Sequence, residues 1–276
     1  NVPFRASVGA TNQEGILRTS DFNRYTASLN VNPSLLDDHL KVNLSAKYMF
    51  AKTVYADGGA MGAALGMDPT KPVRTADPRF KNFGGYYQWL QEGSVLKDSK
   101  WPETKIDLAT ANPLSMIDMK NDVAKSNAFV GNLELDYQVH GLKDLRLHMN
   151  IGADVSGGRQ DTEISPASGT NTYYGYSGWE KINKYNLSYN AYAQYTKDFS
   201  KTQHFDVMAG YEWQHFYREG FSKGSGFYPQ TNDVENLRGT VYQPKKDEWK
   251  TENYLVSFFG RANYSLYDRY LLTATF

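Results

Sequence analysis

Gly220-Phe-Ser-Lys-Gly224 is the one run in this chain that spells a catalytic signature, because G-x-S-x-G can lift a serine onto a strained strand-to-helix turn. The chemistry also needs an Asp and then a His further along. Asp233 and Asp247 follow Ser222, but His39, His140, His148, His204 and His215 all precede it. The run therefore reads as a glycine-rich loop, and no enzyme is expected. Gly58-Gly-Ala-Met-Gly62 lacks the G-x-G-x-x-G spacing that brings backbone amides to a pyrophosphate, and is expected to open a loop with a short helical turn. The histidines are scattered singly and Cys is absent, so neither a metal nor a cofactor is expected.

Aromatic clusters offer a different chemistry. Tyr86, Tyr87 and Trp89, then Trp101, then Tyr173, Tyr174, Tyr176 and Trp179 stand among Asn, Ser, Gly and Asp in stretches that read as loops. Flat rings beside hydrogen-bonding groups suit sugar faces and peptide backbones. The same rings can instead pack the loops on one another or on a partner, and both readings stay open. A second set, Glu134, Asp136, Arg146, His148, Asn150 and Asp154, takes alternate positions of two neighbouring segments, where these polar residues are expected to face a lumen.

Those segments must be strands. From Leu145 to Ser156, Leu, Leu, Met, Ile, Ala and Val alternate with Arg, His, Asn, Gly, Asp and Ser, which no helix accommodates. The same alternation runs through Phe4 to Ala10, Tyr25 to Val31, Leu40 to Phe50, Phe129 to Val139, Tyr185 to Tyr195, Phe205 to Gln214, Val256 to Tyr264 and Tyr270 to Ala274, with Tyr192 out of step. About nine strands result. Short turns fall at Leu35 to His39, His140 to Asp144, Asp198 to His204 and Leu266 to Arg269. They alternate with long excursions at Asn12 to Phe22, Val54 to Lys125, Ser156 to Asn183 and Arg218 to Thr251.

Short turns at one end and long loops at the other mark an outer-membrane β-barrel. Rings gather toward both ends of the apolar faces: Tyr137, Tyr195, Phe205 and Tyr264 by the short turns, Tyr48, Phe50, Phe129, Tyr185, Tyr211 and Trp213 toward the long loops. Two such belts are what two membrane interfaces favour. The mean hydropathy of -0.62 and the lack of a long apolar run exclude a spanning helix but not a barrel, where only alternate residues meet lipid. With 30 basic and 30 acidic residues, nothing points to a nucleic-acid partner. Asn1 to Thr11 reads as no signal peptide, and the strand pattern still running at Phe276 suggests a piece of a longer protein. Residues 1–276 are accordingly read as part of one transmembrane barrel domain.

Three stretches carry a family resemblance: Ala10-Thr-Asn-Gln-Glu-Gly-Ile16, Phe22-Asn-Arg-Tyr-Thr-Ala-Ser-Leu-Asn30 with Leu36-Asp-Asp-His-Leu-Lys-Val42, and Ser257-Phe-Phe-Gly-Arg-Ala-Asn-Tyr-Ser-Leu-Tyr-Asp-Arg-Tyr-Leu-Leu-Thr-Ala-Thr275. Together with Asn112-Pro-Leu114, they resemble SusC/RagA-type TonB-dependent transporters of Bacteroidetes outer membranes. The resemblance implies a plugged barrel of about 22 strands, with plug and remaining strands outside this chain. It also implies TonB-driven import of an oligosaccharide or peptide, captured with a SusD-like surface lipoprotein. A passive outer-membrane porin, and a soluble β-rich carbohydrate-binding or adhesive module, are the competing readings. A plug upstream of Asn1 separates the importer from the porin, and solubility without detergent would favour the module.

Overall fold

The computed structural model of the chain describes residues 2–90, 106, 108–170, 174–227, 241–267 and 269–276, with backbone alone for 174, 227 and 241–245. The strands are β1 (Phe4–Glu14), β2 (Asp21–Val31), β3 (Ser34–Leu35), β4 (Leu40–Val54), β5 (Lys120–Gln138), β6 (Leu145–Ile164), β7 (Tyr174–Ser200), β8 (Gln203–Phe227), β9 (Val241–Leu266) and β10 (Tyr270–Thr275). All lie in one antiparallel sheet, each long strand beside the next in sequence, with β3 an extra pairing on β4. The nine expected strands are the nine long ones. Between β4 and β5 lie α1 (Gly59–Gly66), a 3-10 turn (Pro78–Phe83) and α2 (Pro113–Asp118). Short turns close tightly where the backbone turns left-handed, as at Leu36, Asp37 and Asp38 with φ of 56°, 54° and 66°.

The cross-strand register turns each strand's alternation into a two-sided wall. Val31, Leu44, Leu133, Ile151, Tyr189, Trp213 and Val256 stand opposite one another in sequence across seven strands. The next row on this face holds Leu29, Ala46, Gly131, Ala153, Leu187, His215 and Tyr254. Along β6 the apolar positions run from Leu145 to Val155. Ten steps of about 3.3 Å, tilted about 40°, give a band about 25 Å tall, which matches the lipid-facing band of a barrel.

Among the described residues nothing packs against this face. Val8 is 89%, Phe258 74% and Leu272 70% exposed. Among the described residues the buried apolar cluster is instead Phe80 and Phe83, with Tyr87 and Leu90 against it, inside the long excursion. A wall of bare apolar rows with a small core elsewhere is stable only where lipid covers the rows. The opposite face is polar, is mostly the less exposed one along β5 and β6, and encloses a hollow at the long-loop end, which makes it the concave side.

Three expectations are corrected. β1 and β2 pair through Glu14 and Asp21, so the first excursion is not long but a turn over residues 15–20, closed by Gly15 N–H to Ser20 O at 2.9 Å. The stretches from Ser156 to Asn183 and Arg218 to Thr251 are mostly strand, because β6 runs on to Ile164, β7 starts at Tyr174, β8 reaches Phe227 and β9 starts at Val241. Beyond the band both faces are wet, so the hydropathy contrast fades while the hydrogen-bonded ladder continues. For the same reason Gly220 to Gly224 is not a loop but an interior stretch of β8.

Candidate functional site

All six polar candidates share the concave face, held there by register: Glu134 opposes Asn150, Asp136 opposes His148, and Asp154 opposes Val130. Arg146 donates to Asp136 at 2.6 Å. His148 lies 3.7 Å from Glu134 and 3.8 Å from Asp136, with its ring stacked on Tyr192 at 4.6 Å. Tyr192 breaks the apolar alternation because it points to this face. The Phe259 ring and the Tyr192 Cβ lie over Gly210, where an added Cβ would fall 2.4 Å from the Phe259 ring and 2.7 Å from the Tyr192 Cβ. Higher on the wall Asp154 accepts from Lys184 at 2.6 Å and Asn186 at 3.4 Å. The result is a polar surface on which Arg146 with Asp136 and Lys184 with Asp154 are paired within the wall, with an aromatic step of His148, Tyr192 and Phe259.

Toward the long-loop end this face deepens into a hollow of about 750 Å³. Lys184, Asn186, Asn253 and Thr251 line it with Phe216, Ile182 and Met49, and Arg218 stands at its rim over the Trp249 ring at 5.2 Å. Cations, amides and hydroxyls beside apolar surface can hold a polyhydroxylated or amide-bearing molecule by hydrogen bonds and ring contact. Lys184, Arg218 and Phe216 were absent from the sequence candidates. Their signal was the same even-numbered parity on β7 and β8, continued past the point where the odd-numbered face stops being apolar.

The aromatic candidates divide. Tyr86 is 4% exposed, donates its hydroxyl to Asp118 at 2.6 Å, and carries the Arg74 guanidinium over its ring at 4.5 Å. Tyr87 packs on Phe80 at 5.1 Å and meets Trp89 edge-on at 5.5 Å, with Lys71 over Trp89. These three rings are built into the fold of the excursion. Tyr174 and Tyr176 belong to β7 rather than a loop; the Tyr176 ring lies on the concave face over Gly178 and Gly224. Trp179, also on β7, points to the convex side, where Arg159 covers it at 4.8 Å. Trp101 and Tyr173 lie outside the described residues. The described rings are thus spread over three surfaces and do not form one site.

The excursion is itself pinned by two polar residues. Asn112, fully buried, caps α2 by accepting from the Leu114 and Ser115 amides, and its own amide donates to the carbonyls of Val73 at 2.8 Å and Tyr87 at 3.2 Å. Asp118 binds Arg18 of the first turn, Arg74 at 3.2 Å and Tyr86, clasping two excursions together. Burial alone would raise the Asp118 carboxyl. The Tyr86 and Arg18 hydrogen bonds and the Arg18 charge outweigh it, and hold Asp118 below the ordinary carboxylate value.

Register, band and concave polar face define a wall segment of an outer-membrane β-barrel. By sequence the chain corresponds to a fragment of a SusC-type TonB-dependent transporter, and its fold is that of the matching part of RagA. It is 45% identical over all 276 residues to the TonB-dependent receptor SusC of Bacteroides thetaiotaomicron, covering 27% of that protein. It is 24% identical over 280 aligned residues to the TonB-dependent receptor P26 of Formosa agariphila, covering 26% of it. Its fold matches the RagAB peptide importer in the closed-closed state with a TM-score of 0.65 and 18% identity, over 99% of this chain and 29% of that one. No family model matches the chain. The chain spans about a quarter of the length of the curated relatives it matches.

Proposed function

We propose that this chain forms part of the extracellular vestibule and wall of a TonB-dependent importer, and that the importer brings a bulky nutrient, an oligosaccharide or a peptide, through the outer membrane without chemically altering it. The carrying observation is the 45% identity to SusC through the whole chain. The concave face supports it, since it sets amides, hydroxyls and rings, together with the cations Lys184 and Arg218, along the path of a passing molecule. By this reading the plug and the segment that contacts TonB belong to other parts of the whole protein, and a separate SusD-like lipoprotein is its partner over the mouth. The rings of Tyr86, Tyr87 and Trp89 then shape the rim. Tyr176, Phe216 and Arg218 face the ligand path, as do Arg146, His148 and Asn150 lower down.

The test uses the full-length protein in its own cells, comparing uptake of a panel of labelled oligosaccharides and peptides in a deletion strain and its complemented partner. Import by this reading saturates with substrate and stops when the inner-membrane proton gradient is collapsed. Uptake that persists after collapse would instead identify a passive channel. Reversing charge at Arg218 and Lys184 together, to Glu, is expected to cut uptake several-fold at equal surface abundance.

A further inference from the structure

On the convex face, above the apolar band, the register lines up four cations. Lys52 of β4 stands opposite Lys125 of β5, Lys125 opposite Arg159 of β6, and Arg159 opposite Lys181 of β7. Like charges directly opposite on adjacent strands repel, so a sheet gains nothing from such a row by itself. Lys125, Arg159 and Lys181 are exposed and Lys52 is partly so. Among the described residues no carboxylate lies within ion-pair distance of Lys52, Lys125 or Lys181. Arg159 is engaged by Asp161 at 2.6 Å and stacked on Trp179. The row stops at β8 and β9, where Phe221 and Glu248 continue it.

Its height is as telling as its charge. The row lies four residues beyond Tyr48, Phe129 and Tyr185, the outermost rings shared by these strands, and two beyond Phe50. Four residues of about 3.3 Å at a tilt of about 40° place it about 10 Å above those rings, at headgroup level on the side of the long connections. The intervening row holds only Asn127, Gly157 and Asn183 between β5 and β7, so no bulky side chain separates cations from apolar band. Across three strand spacings of about 4.8 Å the row is about 14 Å wide.

We infer that Lys52, Lys125, Arg159 and Lys181 form a binding site for the phosphorylated headgroup of a glycolipid in the outer leaflet, whose acyl chains run down the apolar rows below. A lipid, rather than a soluble anion, is the occupant because the cations stand directly over bare apolar rows on a face that points away from the ligand path. Trp179 and Asp161 then serve as positioning residues that hold the Arg159 side chain flat against the wall. The site depends on the outer-membrane placement of the wall and not on what the transporter imports.

The experiment takes the full-length transporter in nanodiscs or detergent and measures retention of bis-phosphorylated lipid A by native mass spectrometry. The partner probe is the same lipid with both phosphates removed. The wild type is expected to retain the phosphorylated lipid at least tenfold better than the dephosphorylated one. The triple variant Lys52→Gln, Lys125→Gln, Lys181→Gln should lose that preference, while Lys223→Gln, on the same face outside the row, should keep it. Should the triple variant fail to assemble, as read by heat-modifiable gel migration, the wild type still decides the matter: retention must fall steeply as salt is raised. Equal retention in triple variant and wild type, indifference to salt, or inorganic phosphate displacing the lipid in proportion to charge alone would overturn the site. Loss of import with lipid retention intact, or the reverse, keeps this result separate from the transport reading.

Discussion

Asn112 and Asp118 show what a residue can be worth when its partners are distant in sequence. Arg18 lies 100 positions from Asp118, and nothing in the spacing of either announces the pair. Asn112-Pro-Leu114, by contrast, is recognisable as a motif, and its reason is now physical: Asn at the cap and Pro at the first helical position start α2, while the buried amide fastens two loop carbonyls. Asp118→Ala is expected to raise hydrogen exchange around residues 73–87 and the first turn, with little effect on global stability because Arg18 and Arg74 are largely solvated. The pH dependence has a definite sign. A carboxyl held below 3.8 in the folded state contributes above that value and loses its contribution as pH falls through the lowered one. Exchange in this region, corrected for intrinsic rates, should therefore be alike at pH 7 and pH 5 and rise only as pH falls below 3.8. Gly210→Val addresses a different pressure, since it drives a branched side chain into the Phe259 ring and the Tyr192 Cβ. A loss of about 1–3 kcal/mol in urea unfolding is expected, with the change confined to the concave face.

At the scale of the strand, legibility tracks the solvent on each side. Leu145 to Val155 could be read as a strand because one face meets lipid and the other water, and the sequence records that contrast at every step. Past Gly157 the outward positions become Arg159, Asp161 and Glu163, so β6 continues to Ile164 without a hydropathic trace. The aromatic belt was legible at Tyr48, Phe129 and Tyr185. Tyr211 and Trp213 turn out to sit in mid-band, and Tyr217 and Tyr254 are the girdle residues on β8 and β9, each with its hydroxyl turned outward to a glutamate, Glu219 at 2.7 Å and Glu252 at 2.8 Å. The candidate ligand path was legible only as far as parity carried it. The same outward face also gives a graded prediction. Ile151→Arg, at the middle of the band, should cost about 2–4 kcal/mol in a bilayer unfolding assay, whereas Glu163→Arg on the same face of the same strand should cost close to nothing. Equal costs at the two positions would contradict the placement of the band.

At the scale of the whole wall, strands of 27, 25 and 26 residues are far longer than a membrane crossing of about 10 requires. From Tyr185 at the edge of the band, β7 rises to Tyr174, about 28 Å above the rings at the same pitch and tilt. A fluorophore on a cysteine placed at Ser177 should be insensitive to headgroup quenchers in nanodiscs, and one at Tyr185 strongly quenched. The continuous ladder through Lys181, Phe221 and Glu248 means that this raised part is hydrogen-bonded wall rather than loose loop. A molecule released from one contact on the inner side is therefore still enclosed by its surroundings. It meets the wall again sooner than it finds open water, so weak contacts repeated up the height of β7 and β8 can hold a cargo that no single residue grips.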